Sequence, residues 1–261
     1  MAYYPVLAAP YCSGRTTLYN FSPNNWENVM KVDQYVHHSF IKDEQWHHTL
    51  IGQLPYGQHQ IVDSNVDLSL ATNSINLLSL SEVKLPSVTD ILPKLSTPRV
   101  NFPNWRATLG LFSKSAQTSY QGEINPFPGR ASLLTFSPFL QFGAQVENYV
   151  LLASLEAKPL NREVLVEIYD AKTKVLKATE VAFSNQINII SLDNKGLDEQ
   201  TLPVVICRGM AAIPLYFSCA NQGEFLSLEH THPPASLVIH GDRFGAQKHL
   251  KEYWLSECKI S

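Results

Sequence analysis

The chain has 261 residues, enough for one large β or α/β domain or for two small ones. Its formal net charge is −3 and only 16% of its residues are charged, below the roughly one quarter of an average domain. Nothing global therefore draws it to a phosphate backbone, which excludes nucleic acid as an expected partner, and the surface must be rich in Ser, Thr, Asn and Gln rather than in long Glu- and Lys-bearing helices.

The first residues, MAYYPVLAAPYCSGRTT, show no basic stretch ahead of an apolar run and predict no secretory signal. No segment reaches the roughly 18 uninterrupted apolar residues of a spanning helix, so no membrane partner is expected. Cys12, Cys207, Cys219 and Cys258 are scattered without a Cys-x-x-Cys pair, which reads as free thiols in a reducing cytoplasm.

A first helix is expected in SPNNWENVMKVDQYV, residues 22–36. Ser22 before Pro23, or Asn24, offers an N-cap there, and Trp26, Val29, Met30 and Val36 share one face. Residues 83–104 carry Pro86, Pro93, Pro98 and Pro103, a density that forbids both a continuous helix and a central strand. Leu85, Val88, Ile91, Leu92 and Leu95 would be costly to leave in water, so this stretch is expected to be a docked strap. It closes a mixed N-terminal region, residues 1–104.

Downstream, the apolar period is two. EVLVEIY (163–169) sets Val164, Val166 and Ile168 on one face, and the polar DAKT leads into KVLKATEVAF, the pattern of a β-hairpin. Similar runs fall at 131–137, 148–156, 186–192, 202–208, 213–218, 224–230 and 236–241. Short strands with polar turns and no intervening helical period predict a mainly β fold, an antiparallel β-sandwich of jelly-roll or immunoglobulin-like type, within a second region at 105–261. A C-terminal helix is expected in GDRFGAQKHLKEYWLSECK, capped by Asp242, with Ala246, Leu250, Tyr253 and Trp254 as its apolar stripe.

The chemistry-bearing stretch is EHTHPP, residues 229–234. On a strand His230 and His232 share a face while Glu229 and Thr231 take the other. Two imidazoles supply two ligands to a divalent metal such as zinc or iron. A third must then come from His240 or from the pairs His37, His38 and His47, His48. Without a metal, the same histidines fit a polar binding site or the satisfied mouth of a sheet. Pro233 and Pro234 end the strand and fix its last side chains.

Arg243, Lys248, His249 and Lys251 crowd the first turns of the C-terminal helix, where an anion would be favoured, although a solvated helix face explains them equally. Trp105, Tyr120 and Phe127, beside Gln121, Glu123 and Arg130, combine flat rings with hydrogen-bonding groups, as a sugar-binding surface does and as the packed edge of a sandwich also does. The ligand-binding candidates are thus His230, His232, His240, Arg243, Lys248, Trp105 and Tyr120, with His230 and His232 also the metal candidates. The expected function is a binding or accessory protein for a small polar or carbohydrate-like ligand, with no cofactor or one divalent metal. The alternatives are a metal-dependent enzyme built on Glu229, His230, Thr231 and His232, and a structural interaction module using apolar sheet edges.

Overall fold

The computed structural model describes residues 2–20, 32–94, 107–129, 131–137, 140–230 and 243–258. Among them the two-residue period is realised as a succession of strands. The first seven are β1 (Ala2–Pro5), β2 (Ser13–Tyr19), β3 (Gln34–Lys42), β4 (Gln45–Leu54), β5 (His59–Asp63), β6 (Leu77–Ser81) and β7 (Val88–Thr89). Next come β8 (Ala107–Phe112), β9 (Gln117–Gln121), β10 (Leu133–Phe136), β11 (Val146–Ala153) and β12 (Glu163–Asp170). The last are β13 (Leu176–Phe183), β14 (Ile187–Ser191), β15 (Pro203–Cys207), β16 (Ile213–Ala220) and β17 (Phe225–His230), followed by the helix α1 (Arg243–Glu257).

The strands form four antiparallel sheets. These are the β3 sheet (β1-β6-β3-β4-β7), the β2 sheet (β5-β2-β8-β9), the β11 sheet (β14-β11-β16-β17) and the β12 sheet (β10-β15-β12-β13). They are arranged as a four-bladed, propeller-like ring. The mainly β, antiparallel expectation holds, but four sheets replace the single jelly-roll or immunoglobulin-like sandwich.

The reason lies in β11 and β16. Leu151, Leu215, Phe217 and Cys219 face a core shared with Val36, Leu78 and Leu80 of the β3 sheet and with Leu18, Leu109 and Leu111 of the β2 sheet. Val150, Leu152 and Tyr216 face the other way, into a core with Val166, Ile168, Val205 and Cys207 of the β12 sheet. A strand whose alternate residues are all apolar must be covered on both faces, so the β11 sheet needs partners on both sides.

In the N-terminal region, expected to be mixed, the described residues form strands joined by turns and irregular segments. Of the predicted first helix, residues 22–31 lie outside the described residues, and Gln34–Val36 begin β3. A two-residue turn decides the matter locally. Asp43 and Glu44 both have positive φ, 50° and 57°, as a type I′ turn requires, and they fold β4 back onto β3. β8, which begins at Ala107, pairs with β2, so the N-terminal and downstream residues share one sheet.

In the described part of the proline strap, 83–94, apolar burial is less than the sequence suggests. Leu92 is buried, but Val88 and Ile91 are exposed. Hydrogen bonds to the strap's own backbone atoms do much of the holding. His48 N–H donates to Ser87 O (2.8 Å), Leu92 N–H to Ala157 O (2.8 Å) and Tyr3 O–H to Pro93 O (3.0 Å).

α1 covers the outer face of the β12 sheet. Trp254, Leu255 and Cys258 pack on Tyr169, Val204 and Ile206, and Trp254 meets Phe136 edge-on at 5.2 Å. Tyr253, expected in the apolar stripe, is instead exposed and bonds the Lys174 ammonium, so the packed stripe is rotated toward Leu255 and Cys258. Arg208 locks the helix end. It donates to the buried Glu167 carboxylate (3.0 Å) and to the carbonyls of Leu255 (3.0 Å) and Cys258, placing a cation where the helix dipole is negative. The Glu167 carboxylate also accepts from Tyr169 O–H at 2.7 Å.

Two outcomes follow. Trp254→Ala should lower unfolding free energy by about 2 kcal/mol in urea titration, less than for a fully enclosed Trp because the ring is half-buried. An unchanged midpoint would mean that α1 is peripheral. In limited proteolysis of the native protein, residues 88–94 should resist cleavage; early cutting there would show an undocked linker.

Candidate functional site

Of the residues singled out in the sequence, the structure brings together His230 and Tyr120. Their rings lie 4.8 Å apart, tilted by 56°, where edge strand β17 meets edge strand β9. His230 continues an inward stripe with Leu226 and Leu228, both packed on the large core, and its Nδ1–H donates to Pro214 O at 3.2 Å. That is the geometry of a histidine satisfied at the mouth of a sheet. Glu229, one residue away, is exposed on the opposite face, so it and His230 do not present to one ligand from β17.

Trp105, Thr231, His232 and His240 lie outside the described residues, as do the side chains of Arg243 and Lys248. The N-terminal histidines are engaged within the β3 sheet. His48 bonds Ser39 Oγ (2.8 Å) and Thr89 Oγ1 (3.0 Å), His38 bonds Asn76 Oδ1 (3.0 Å), and His37 Nε2 accepts from Leu85 N–H (3.1 Å). Among the described residues no three His, Cys, Asp or Glu side chains are grouped to hold a metal ion.

A cleft lies at the other end of β17, about 17 Å away along a six-residue strand. This cleft, of about 590 Å³, is lined by Tyr11, Gln145, Glu147, Asn221, Gln222 and Glu224. Three separate segments build it. The first is a tight turn in which Cys12 N–H bonds Ala9 O (3.1 Å), with Tyr11 at φ 62°. The second is the lead into β11, with Gln145 at φ 64°. The third is the β16–β17 hairpin, where Asn221 (φ 50°) and Gln222 (φ 57°) make a type I′ turn closed by Gly223 N–H to Ala220 O (3.1 Å).

These segments are tied to one another. Asn221 N–H donates to Gln145 O (3.1 Å), and Ser113 O–H donates to Gly223 O (2.5 Å). Gly223, at φ 96°, suits its place: another residue would be strained in that backbone conformation, and its Cβ would lie a tight 3.1 Å from Tyr11 Cβ and 3.2 Å from Ser113 Cβ. Left-handed backbone at Tyr11, Gln145 and Gln222 costs each residue about 1 kcal/mol, the kind of local strain that concentrates at binding sites.

Glu147 is the centre of the electrostatics. Its two carboxylate oxygens accept from Tyr11 O–H (2.9 Å) and from Tyr149 O–H. The bond to Glu147 raises the Tyr11 phenol above its ordinary value. Burial, reinforced by Glu147, raises Tyr149 further. Burial and the same carboxylate push the nearby Cys219 thiol to about 11, so it stays protonated.

On its other side Glu147 borders a second cleft, of about 540 Å³. Leu140, Phe142 and Leu197 form an apolar wall there, opposite Asn148 and Asp193. Asp193 accepts from Asn148 N–H (2.9 Å) and Nδ2 (3.2 Å) and so fixes that rim. No Lys, Arg or His lines either cleft among the described residues. Carboxylates, amides and phenol rings can bond hydroxyl or ammonium groups and stack on an apolar ring face, while anions are disfavoured.

The sequence reading missed these residues. The turn ANQGE at 220–224 was a usable signal, but the left-handed Tyr11 and Gln145 had none. Comparison with known proteins returns no matching family, no similar curated protein and no similar solved structure.

The Glu147 network can be checked directly. Glu147→Gln removes the negative charge that holds protons on the two phenols, so the Tyr149 pKa should fall toward the ordinary value of about 10. NMR titration of ring-labelled tyrosine reads this, and an unmoved Tyr149 would show that burial acts without Glu147.

Proposed function

We propose that the protein binds a small, hydroxyl-rich ligand, neutral or cationic, in the cleft between Tyr11 and the 221–224 hairpin. One observation carries this reading. A concave rim of carboxylates, side-chain amides and a phenol ring contains no cationic side chain among the described residues, which matches hydroxyl recognition and rejects phosphate or carboxylate ligands. The sequence pointed to a small polar or carbohydrate-like ligand through the rings of Trp105 and Tyr120 and, with a chemistry suited to anions, through His230, His232, His240 and the basic first turns of the helix. The cleft favours the opposite charge preference. Its lining holds no Ser, Thr, Cys, Lys or His among the described residues, and the Tyr11 phenol, raised above its ordinary value by Glu147, is a weak nucleophile, so binding rather than turnover is the function assigned.

A second reading, a structural interaction module, has its own support. Leu165 and Val181 are cross-strand partners on the β12 sheet, and both are roughly half exposed, at 49% and 46%. Sedimentation velocity across protein concentration tests it; a monomer at all concentrations would remove self-association as the role of that pair.

The ligand reading predicts heat of binding for members of a panel of neutral mono- and disaccharides and cationic amino sugars, and none for the matching sugar phosphates. Tyr11→Ala and Glu147→Gln should each weaken that binding by about 10- to 100-fold, the loss of one hydrogen bond to a charged group. Equal binding by the two variants and the parent protein would move the site elsewhere.

A further inference from the structure

We infer that residues 82–87 form an acid-released strap, latched over the β3 sheet by the hydrogen bond from the Leu85 amide to His37 and freed when His37 takes up a proton at Nε2. The inference stands independently of the ligand cleft.

The sequence places Pro86 in this stretch, which removes one backbone donor. The bonds holding residues 82–87 are correspondingly few. Val83 N–H donates to Ser81 Oγ (3.2 Å), Leu85 N–H donates to His37 Nε2 (3.1 Å), and Ser87 O accepts from His48 N–H (2.8 Å). Val83 is 64% exposed, so apolar burial adds little. Beyond residue 87 the chain is held differently, by β7 pairing with β4 and by the buried Leu92.

The latch has a fixed direction. A backbone N–H can only donate, so His37 Nε2 must carry a lone pair, and the neutral ring then holds its proton on Nδ1. Protonation puts a second N–H at Nε2, pointing at the Leu85 N–H, and the bond cannot survive. His48 on the same sheet face behaves differently. Its two nitrogens meet hydroxyls of Ser39 and Thr89, and a hydroxyl can turn from donor to acceptor. A proton on His48 therefore breaks no bond by itself, whereas a proton on His37 must break one.

The closed state is also poised to open. His37 Nδ1 is buried without a partner, and so is the hydroxyl of Ser79, its cross-strand neighbour on β6. Each such atom disfavours the closed form. The charged and titratable groups around His37 are His48 on β4, which would repel a second imidazolium, Tyr3 on β1 and Tyr35 on β3, and on the strap Glu82 and Lys84, the latter lying 5.5 Å over the Tyr35 ring. Burial holds His37 below its ordinary value, while burial and its histidine neighbours hold His48 at about 4.

The sign follows from that depression. The open strap leaves His37 near its ordinary value of about 6.5, and the closed strap holds it lower. Closure is therefore fully favoured above about pH 6.5 and is lost as pH falls from there toward the closed-state value.

Amide hydrogen exchange read by NMR at Leu85 in the full chain, corrected for intrinsic rates, tests the latch between pH 7.5 and 5. Protection at Leu85 should fall by up to about tenfold per pH unit below about 6.5, while amides of β11 keep theirs. His37→Gln supplies a carbonyl acceptor that does not titrate and should make Leu85 protection independent of pH. Constant protection in the wild type, or a fall in His37→Gln parallel to the wild type, would overturn the inference. Should the variant fail to fold, the His37 ring nitrogen shifts at pH 7.5 decide instead: a proton on Nδ1 supports the latch, and a proton on Nε2 refutes it.

Discussion

The burial of the β11 sheet on both faces is the constraint from which the rest of the architecture follows. Leu151 and Phe217 look into one core while Val150 and Tyr216 look into another, so no arrangement of only two layers satisfies these strands. The β2 and β3 sheets must converge on one side and the β12 sheet must lie on the other. The β12 sheet then presents its own apolar outer face, with Tyr169, Val204 and Ile206, and α1 is recruited to cover it. The buried Glu167 on that face is tolerated because Arg208 and Tyr169 satisfy it, and the same Arg208 fixes the helix end.

The candidate site grows from the same constraint. β11 and β16 are held rigidly by packing on both sides, so the turns at their ends are positioned by the framework rather than by their own contacts. Glu147 and Asn148 open β11, and Asn221 to Glu224 follow β16. The strained residues Tyr11, Gln145 and Gln222 gather at that rim, which puts polar side chains on a stiff support, where ordering them costs less on binding.

Much of the local structure was legible. The β12–β13 hairpin was readable because Val164, Val166 and Ile168 recur at a period of two and its turn is polar, and β15 because PVVIC is a continuous apolar run. α1 was readable from its Trp254 stripe, although Tyr253 bonds Lys174 at the surface instead of joining it; the expected cap Asp242 lies outside the described residues. Pairing was not legible: β2 finds β8 across some ninety residues, and no local pattern specifies that choice. β3 was misread as the end of a helix because Val36 fitted a helical face, while the turn that makes it a strand uses Asp43 and Glu44 rather than the glycine-bearing pairs that advertise a type I′ turn.

His230 can be read by its chemistry and by its periodicity. Leu226, Leu228 and His230 share one face of β17, and the two leucines pack on the large core. The cleft residues escaped notice. They come from three distant segments, and each is individually ordinary.

Chemical-shift mapping with a neutral disaccharide bound by the protein tests the assignment of the cleft most directly. Backbone amides at Tyr11, at 145–149 and at 221–224 should shift together and saturably, with Tyr120 and His230 unmoved. Saturable shifts centred on Tyr120 and His230, with the Glu147 rim silent, would contradict it.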